Sequence, residues 1–190
     1  MKKENNNSKL YKVAIARKAN AVISLICSCL ILLHGGYDAI WMILRGKITT
    51  LPKPIAMLLV IFVVIHIILS IVTLIIGKDS KNTKLYKKEN IKTIIQRVFG
   101  VLIVLLLVPH IIGMQNHLTP KILHSLIHPI FFLVVYGHTA ISFSKALITL
   151  GIGSAKFIKV VDILMSILCV IIFIASIIGL YLVMYGKWLG

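Results

Sequence analysis

The sequence predicts an all-α integral membrane protein, five transmembrane helices in one bundle, and three observations predict it. Five stretches lack Lys, Arg, Asp and Glu: 19–37, 54–77, 98–120, 122–144 and 163–186. Each is close to or above the roughly 20 residues that cross a ~30 Å hydrocarbon core as helix. The chain is 59% hydrophobic, with a mean hydropathy of +1.01. Five spans use most of its 190 residues, which leaves no room for a separate soluble domain.

The elements follow in order. Residues 1–14 read as a polar, basic cytoplasmic tail whose first eight residues lack the apolar surface to order themselves. Residues 15–190 form a single bundle with helices over about 17–44, 55–77, 93–115, 122–149 and 158–185. The first span has a basic front, but its apolar run passes any small-residue cleavage signal, so it reads as a retained helix and not a signal peptide.

Charge sets the orientation. The amino-terminal tail, the second-to-third connection and the fourth-to-fifth connection carry 16 of the 21 basic residues. The opposite side holds the other five: Arg45, Lys47, Lys53, Lys121 and Lys187. The positive-inside rule puts the N-terminus in the cytoplasm and the C-terminus outside. The same asymmetry, with anionic lipid, explains the net charge of +16 without nucleic acid.

Chemistry enters with four histidines on four different helices: His34, His66, His110 and His138. An ionisable residue at membrane depth is costly and marks function by default. At 1.5 Å rise per residue, His34 lies roughly 24 Å past Lys18 and His110 roughly 20 Å past Arg97, both toward the outer side. His66 and His138, on helices running the other way, fall at the centre or on the inner half. The depths pair His34 with His110 and His66 with His138. Bundles build cofactor sites from facing helices, and histidine is an axial ligand of haem iron. Two bis-histidine b haems fit this pattern. A histidine proton relay fits the spacing equally, and a single intramembrane histidine can simply bond a neighbouring helix.

At Gln96-Arg97-Val98-Phe99-Gly100, followed by an apolar run to His110, the chain resembles the cytochrome b membrane-anchor subunits of succinate dehydrogenases and fumarate reductases. Those subunits begin their third helix with Gln-Arg-x-x-Gly and carry a haem histidine near its far end. The stretch from His138 through Ala140, Ser142, Ala146 and Leu147 to Gly151 resembles their fourth helix and its closing glycine. The resemblance spans about residues 15–186. It departs where Ile141, Ser142 and Phe143 stand instead of a glycine, and where a distal-site acid has no clear counterpart.

The resemblance implies two haems, one on His66 and His138 nearer the cytoplasmic partner and one on His34 and His110. It implies electron transfer between membrane quinone, menaquinone being the expected type, and a cytoplasmic flavoprotein subunit with its iron–sulfur subunit. Dicarboxylate chemistry belongs to the flavoprotein. The setting implied is a bacterial cytoplasmic membrane. Two other readings stand beside it: a dihaem b subunit of a hydrogenase-type or formate dehydrogenase-type enzyme, and a non-redox small transporter with buried histidines.

Further residues fit a haem protein. Propionates need cationic or hydroxyl partners. Arg97, Lys145, Arg17, Lys18 and Ser142 are the candidates, and snorkelling accounts for the cations as well. For a quinone head group, the outer end offers Asp38, Trp41, Gln115, His124 and His128, with His117 nearby. His124 and His128, one turn apart, read either as quinone contacts, as replacement ligands, or as titrating groups in a wet loop. Gly100, Gly113 and Gly137 allow close approach of a macrocycle or of another helix. Cys27, Cys29 and Cys169 read as packing. There is no C-x-x-C-H for covalent haem attachment, no phosphate loop, dinucleotide fingerprint or zinc-protease motif, and no internal repeat.

Overall fold

A computed structural model of the protein describes residues 2–45, 53–76, 87–115 and 121–185, with side chains over 11–45, 53–75, 91–112 and 125–185. The described residues form five α-helices and no strand: α1 (Lys2–Arg45), α2 (Lys53–Ile76), α3 (Lys87–Gln115), α4 (Lys121–Leu150) and α5 (Ala155–Tyr185). All five are long and apolar enough to cross a membrane. Boundaries expected from the apolar stretches differ by a few residues, except at one end. The helix of α1 begins at Lys2, so the expected unstructured tail is helical backbone. No Gly or Pro interrupts residues 2–34, and extending an existing helix avoids the cost of nucleating one.

The helices pack unequally. α1, α4 and α5 contact one another pairwise and form a three-helix core; α2 rests on α1 and α3 rests on α4. Among the described residues α2 and α3 do not approach each other, and neither buries any residue fully. The core faces follow helical spacing. On α5, Met165, Cys169, Ser176 and Leu180 fall on one stripe; on α1, Ala21, Ser24, Ser28, Ala39 and Met42 do the same. Most are small, which lets helices approach where lipid supplies no hydrophobic push. At Gly179 a Cβ would stand 2.8 Å from Met42 Cβ, so the missing side chain sets the α1–α5 approach.

Hydroxyls inside the core bond within their own helices. Ser28 donates to the Ser24 carbonyl at 2.9 Å, and Thr139 to the Val135 carbonyl at 2.8 Å. The α4–α5 turn has a Schellman close. Gly151, at φ 74°, donates to the Ile148 carbonyl, and Ile152 to the Leu147 carbonyl. Ser154 then caps α5, its hydroxyl accepting from Phe157 N–H at 3.3 Å. Pro109 in α3 and Pro129 in α4 each remove one helical N–H, next to His110 and His128.

Candidate functional site

Because α2 and α3 stay apart on the α1–α4 face, an apolar cleft opens between them. It encloses about 940 Å3 of empty space, including the part open to its surroundings. All five helices line it. His34 and Asp38 come from α1, Val63 from α2, His110 from α3, Tyr136 from α4 and Ser176 from α5.

Histidines form two layers, one of which, His34 with His110, lines the cleft. In the first, the His66 and His138 ring centres stand 6.4 Å apart, with planes at 74°. An imidazole nitrogen sits about 2 Å from a transition-metal ion and roughly 1 Å from its own ring centre, so two trans ligands hold their centres roughly 6–6.5 Å apart. The observed separation falls in that range. His138 Nδ1 lies 3.0 Å from the Gln96 carbonyl oxygen. A carbonyl only accepts, so Nδ1 carries the proton and Nε2 is left as the basic nitrogen. Metal-binding histidines take this state, donating the other N–H to a carbonyl. Gln96 Nε2 donates to Ser142 Oγ at 2.9 Å. His66 Nδ1 is buried without a hydrogen-bond partner, and a buried orphan of this kind asks for an explanation.

In the second layer His34 and His110 face the cleft. His34 Nδ1 lies 3.4 Å from Asp38 Oδ2, one turn along α1, without hydrogen-bond alignment. His110 stacks on Phe131, ring centres 4.4 Å apart and planes at 23°, and its Nδ1 is also buried without a hydrogen-bond partner. Tyr136 reaches across to Ser176, oxygen to oxygen 3.2 Å. Gly35 makes that reach possible, because a Cβ there would collide with the Tyr136 hydroxyl.

The structure separates the other residues singled out in the sequence. His128 is 1% exposed and its ring centre is 5.1 Å from that of His110. It belongs to the packed interior of α4 and not to a wet loop, and it does not line the cleft. Asp38 does line it. Trp41 stacks with Tyr37 at 6.0 Å, and Arg45 lies over its ring at 5.6 Å. The side chains of Gln115 and His124, and all of His117, lie outside the described residues, as does the Gly113 environment. Lys145 donates to Thr93 Oγ1 at 2.8 Å and Ser142 accepts from Gln96, which places both at the His138 end. Arg17, Lys18 and Arg97 are exposed.

No protein-family model, curated protein or solved structure matches this chain.

The function of the site therefore rests on its own geometry. Among the described residues no three or more His, Cys, Asp or Glu side chains converge as a metal-binding cluster, so a tetrahedral zinc-type donor set is not formed here. What the residues do form is one opposed histidine pair, and a second pair sharing a cleft. Tyr136, Ser176 and the Gln96 carbonyl are functional candidates that sequence reasoning missed. The available signal was weak: a buried Tyr needs a hydroxyl partner, and a Ser inside an apolar span marks a helix contact. Gly137 has a packing role, since a Cβ would meet the Phe99 ring at 2.6 Å. Gly100 lies against the His138 ring, where a Cβ would stand 3.5 Å from Cε1.

Proposed function

We propose that the chain is a dihaem cytochrome b membrane subunit, the anchor of a succinate:quinone oxidoreductase or fumarate reductase. The observation that carries this reading is the His66–His138 pair, at a spacing suited to two axial ligands, with His138 held in the tautomer a metal ligand needs. His34 and His110, both on the cleft wall, would be the second ligand pair. A haem held by two imidazoles would supply one-electron transfer without binding oxygen.

The chain's own residues prepare that chemistry. The Gln96 carbonyl keeps the Nδ1 proton of His138 in place. Phe131 holds the His110 ring against its face. The cleft walls are mostly apolar, which lowers the local dielectric and strengthens charge interactions there. Asp38, four residues from His34 and on the cleft wall, is the group placed to take a proton when a quinol is oxidised there. Lys145, at the His138 end, is the group suited to propionates, while the Ser142 hydroxyl there accepts from Gln96. In this reading the N-terminus and the basic connections face the cytoplasm and the flavoprotein and iron–sulfur partners, and the chain resides in a bacterial cytoplasmic membrane.

The His34–Asp38 acid–base contact in an open cleft favours one second reading, a small proton-coupled transporter without redox groups. A reduced-minus-oxidised spectrum of the purified chain, with pyridine-haemochrome quantitation, separates the two. Two b haems per chain are expected. A protein that stays colourless after haem is supplied during expression ends the cytochrome reading.

A further inference from the structure

Gln96 of α3 holds α4 at two points, the His138 ring and the Ser142 hydroxyl. His138 Nδ1 meets the Gln96 main-chain carbonyl at 3.0 Å, and the Gln96 side-chain amide meets Ser142 Oγ at 2.9 Å. His138 and Ser142 are four residues apart, so they stack on one face of α4. The Gln96 carbonyl and amide match that separation. Ser142 is 3% exposed, so its hydroxyl has no access to bulk solvent.

The geometry points to a positioning clamp: Gln96 and Ser142 select the Nδ1–H tautomer of His138 and keep Nε2 as its basic nitrogen. A neutral imidazole in water favours the opposite tautomer, so a specific acceptor at Nδ1 is required to reverse the preference. The carbonyl supplies it, and the Gln96–Ser142 bond holds that carbonyl in register. A one-residue slip of α3 would rotate the next carbonyl about 100° around the helix and break both contacts. Gly100, one turn beyond Gln96, faces the His138 ring, where an added Cβ would stand 3.5 Å from Cε1, and does not push the ring off the carbonyl.

The tautomer follows from the contacts alone. Its electronic consequence rests on the dihaem reading: an N–H donated to a carbonyl makes the imidazole a more basic ligand. A more basic ligand favours ferric iron and holds the midpoint potential down. Only the haem ligated by His138 feels this clamp.

Nitrogen-15 spectra of the full chain, labelled at histidine and prepared without haem, test the tautomer. The His138 signals are assigned by their loss in His138→Ala. Protonated Nδ1 and bare Nε2 are expected in the unsubstituted chain. Ser142→Ala shifts His138 toward a mixture of tautomers, and Ser142→Thr, which keeps the hydroxyl, restores the single form. In the haem-loaded chain, Ser142→Ala raises one midpoint potential and leaves the other where it was. Nε2–H as the main form in the unsubstituted chain overturns the clamp, even when no variant accumulates. An unchanged tautomer in Ser142→Ala overturns the role of Ser142, and two unmoved potentials overturn the tuning. A colourless chain with protonated Nδ1 keeps the clamp and removes the dihaem reading.

Discussion

His138 meets α3 through a backbone carbonyl and a glycine, whereas His110 meets α4 through the faces of aromatic rings. The first contact is directional. It sets which nitrogen carries the proton and depends little on side-chain identity at the carbonyl. The second is a matter of shape, with Phe131, Phe132 and His128 around one ring. The layers differ in polarity too. Near His138 the neighbours are Gln96, Ser142 and, further along, Lys145 with Thr93. Near His34 and His110 the cleft offers one acid and one phenol, Asp38 and Tyr136, in an apolar wall. One layer is organised to fix a ligand, the other to leave room beside it. A site that exchanges a small molecule needs the second arrangement, and a site that only relays electrons is served by the first.

The strongest way to break this comparison is to remove the ligands one at a time. If the chain holds the two proposed haems, His66→Ala and His138→Ala are expected to cost the same one, and His34→Ala and His110→Ala the other, each leaving about one b haem per chain by pyridine haemochrome. His128→Ala should retain both haems, because the two proposed ligand pairs are complete without His128, which is packed against the His110 and Phe132 rings. Loss of a haem in His128→Ala would transfer a ligand role to the packed interior and erase the contrast between layers.

A smaller effect is expected from added bulk. Gly35→Ala drives a methyl group into the Tyr136 hydroxyl, and Gly137→Ala places one 2.6 Å from the Phe99 ring. Overpacking of this kind costs about 1–3 kcal/mol, readable as a lower melting temperature in detergent. Gly35→Ala should disturb the His34–His110 layer and Gly137→Ala the His66–His138 layer. Equal spectral changes at both haems in either variant would show that the layers are not separable.

Tyr136→Phe sharpens the same point with less force. It deletes the contact to Ser176 and is expected to cost about 0.5–1.5 kcal/mol. Stability should fall while the His66–His138 haem keeps its potential. Smallest is Asn20→Ala, which removes the part-buried bond to Ser70 between α1 and α2. Membrane hydrogen bonds of this type average about 0.6 kcal/mol, so the melting temperature should move little and haem content not at all.

Much of the fold was legible in the sequence, for a physical reason. A span without charges must be helical to satisfy its own backbone, so counting apolar runs counts helices. The runs could not show which helices touch. All five are apolar on every side, and the small-residue stripe that joins α1 to α5 is visible only once Met42 is seen under Gly179. The four histidines stood out because imidazole is rare at such depth. For His128 the wet-loop alternative does not hold, since its position near the start of a helix suggests water while it is 1% exposed beside the Phe132 and His110 rings. Tyr136 and Ser176 drew no notice because their meaning lies in each other, 40 residues apart. The Gln96 carbonyl belongs to the backbone and has no letter in the sequence at all.

The order of the helices along the chain gives the core a timetable. α1 is made first, yet its core partners α4 and α5 are made last of the five. α2 emerges onto α1, already made, whereas α3 emerges before α4, the helix it rests on. The cleft thus has no full set of walls until α5 is synthesised, since Ser176 is among its lining residues. The frame of the site is a late product of the chain, completed by its last helix.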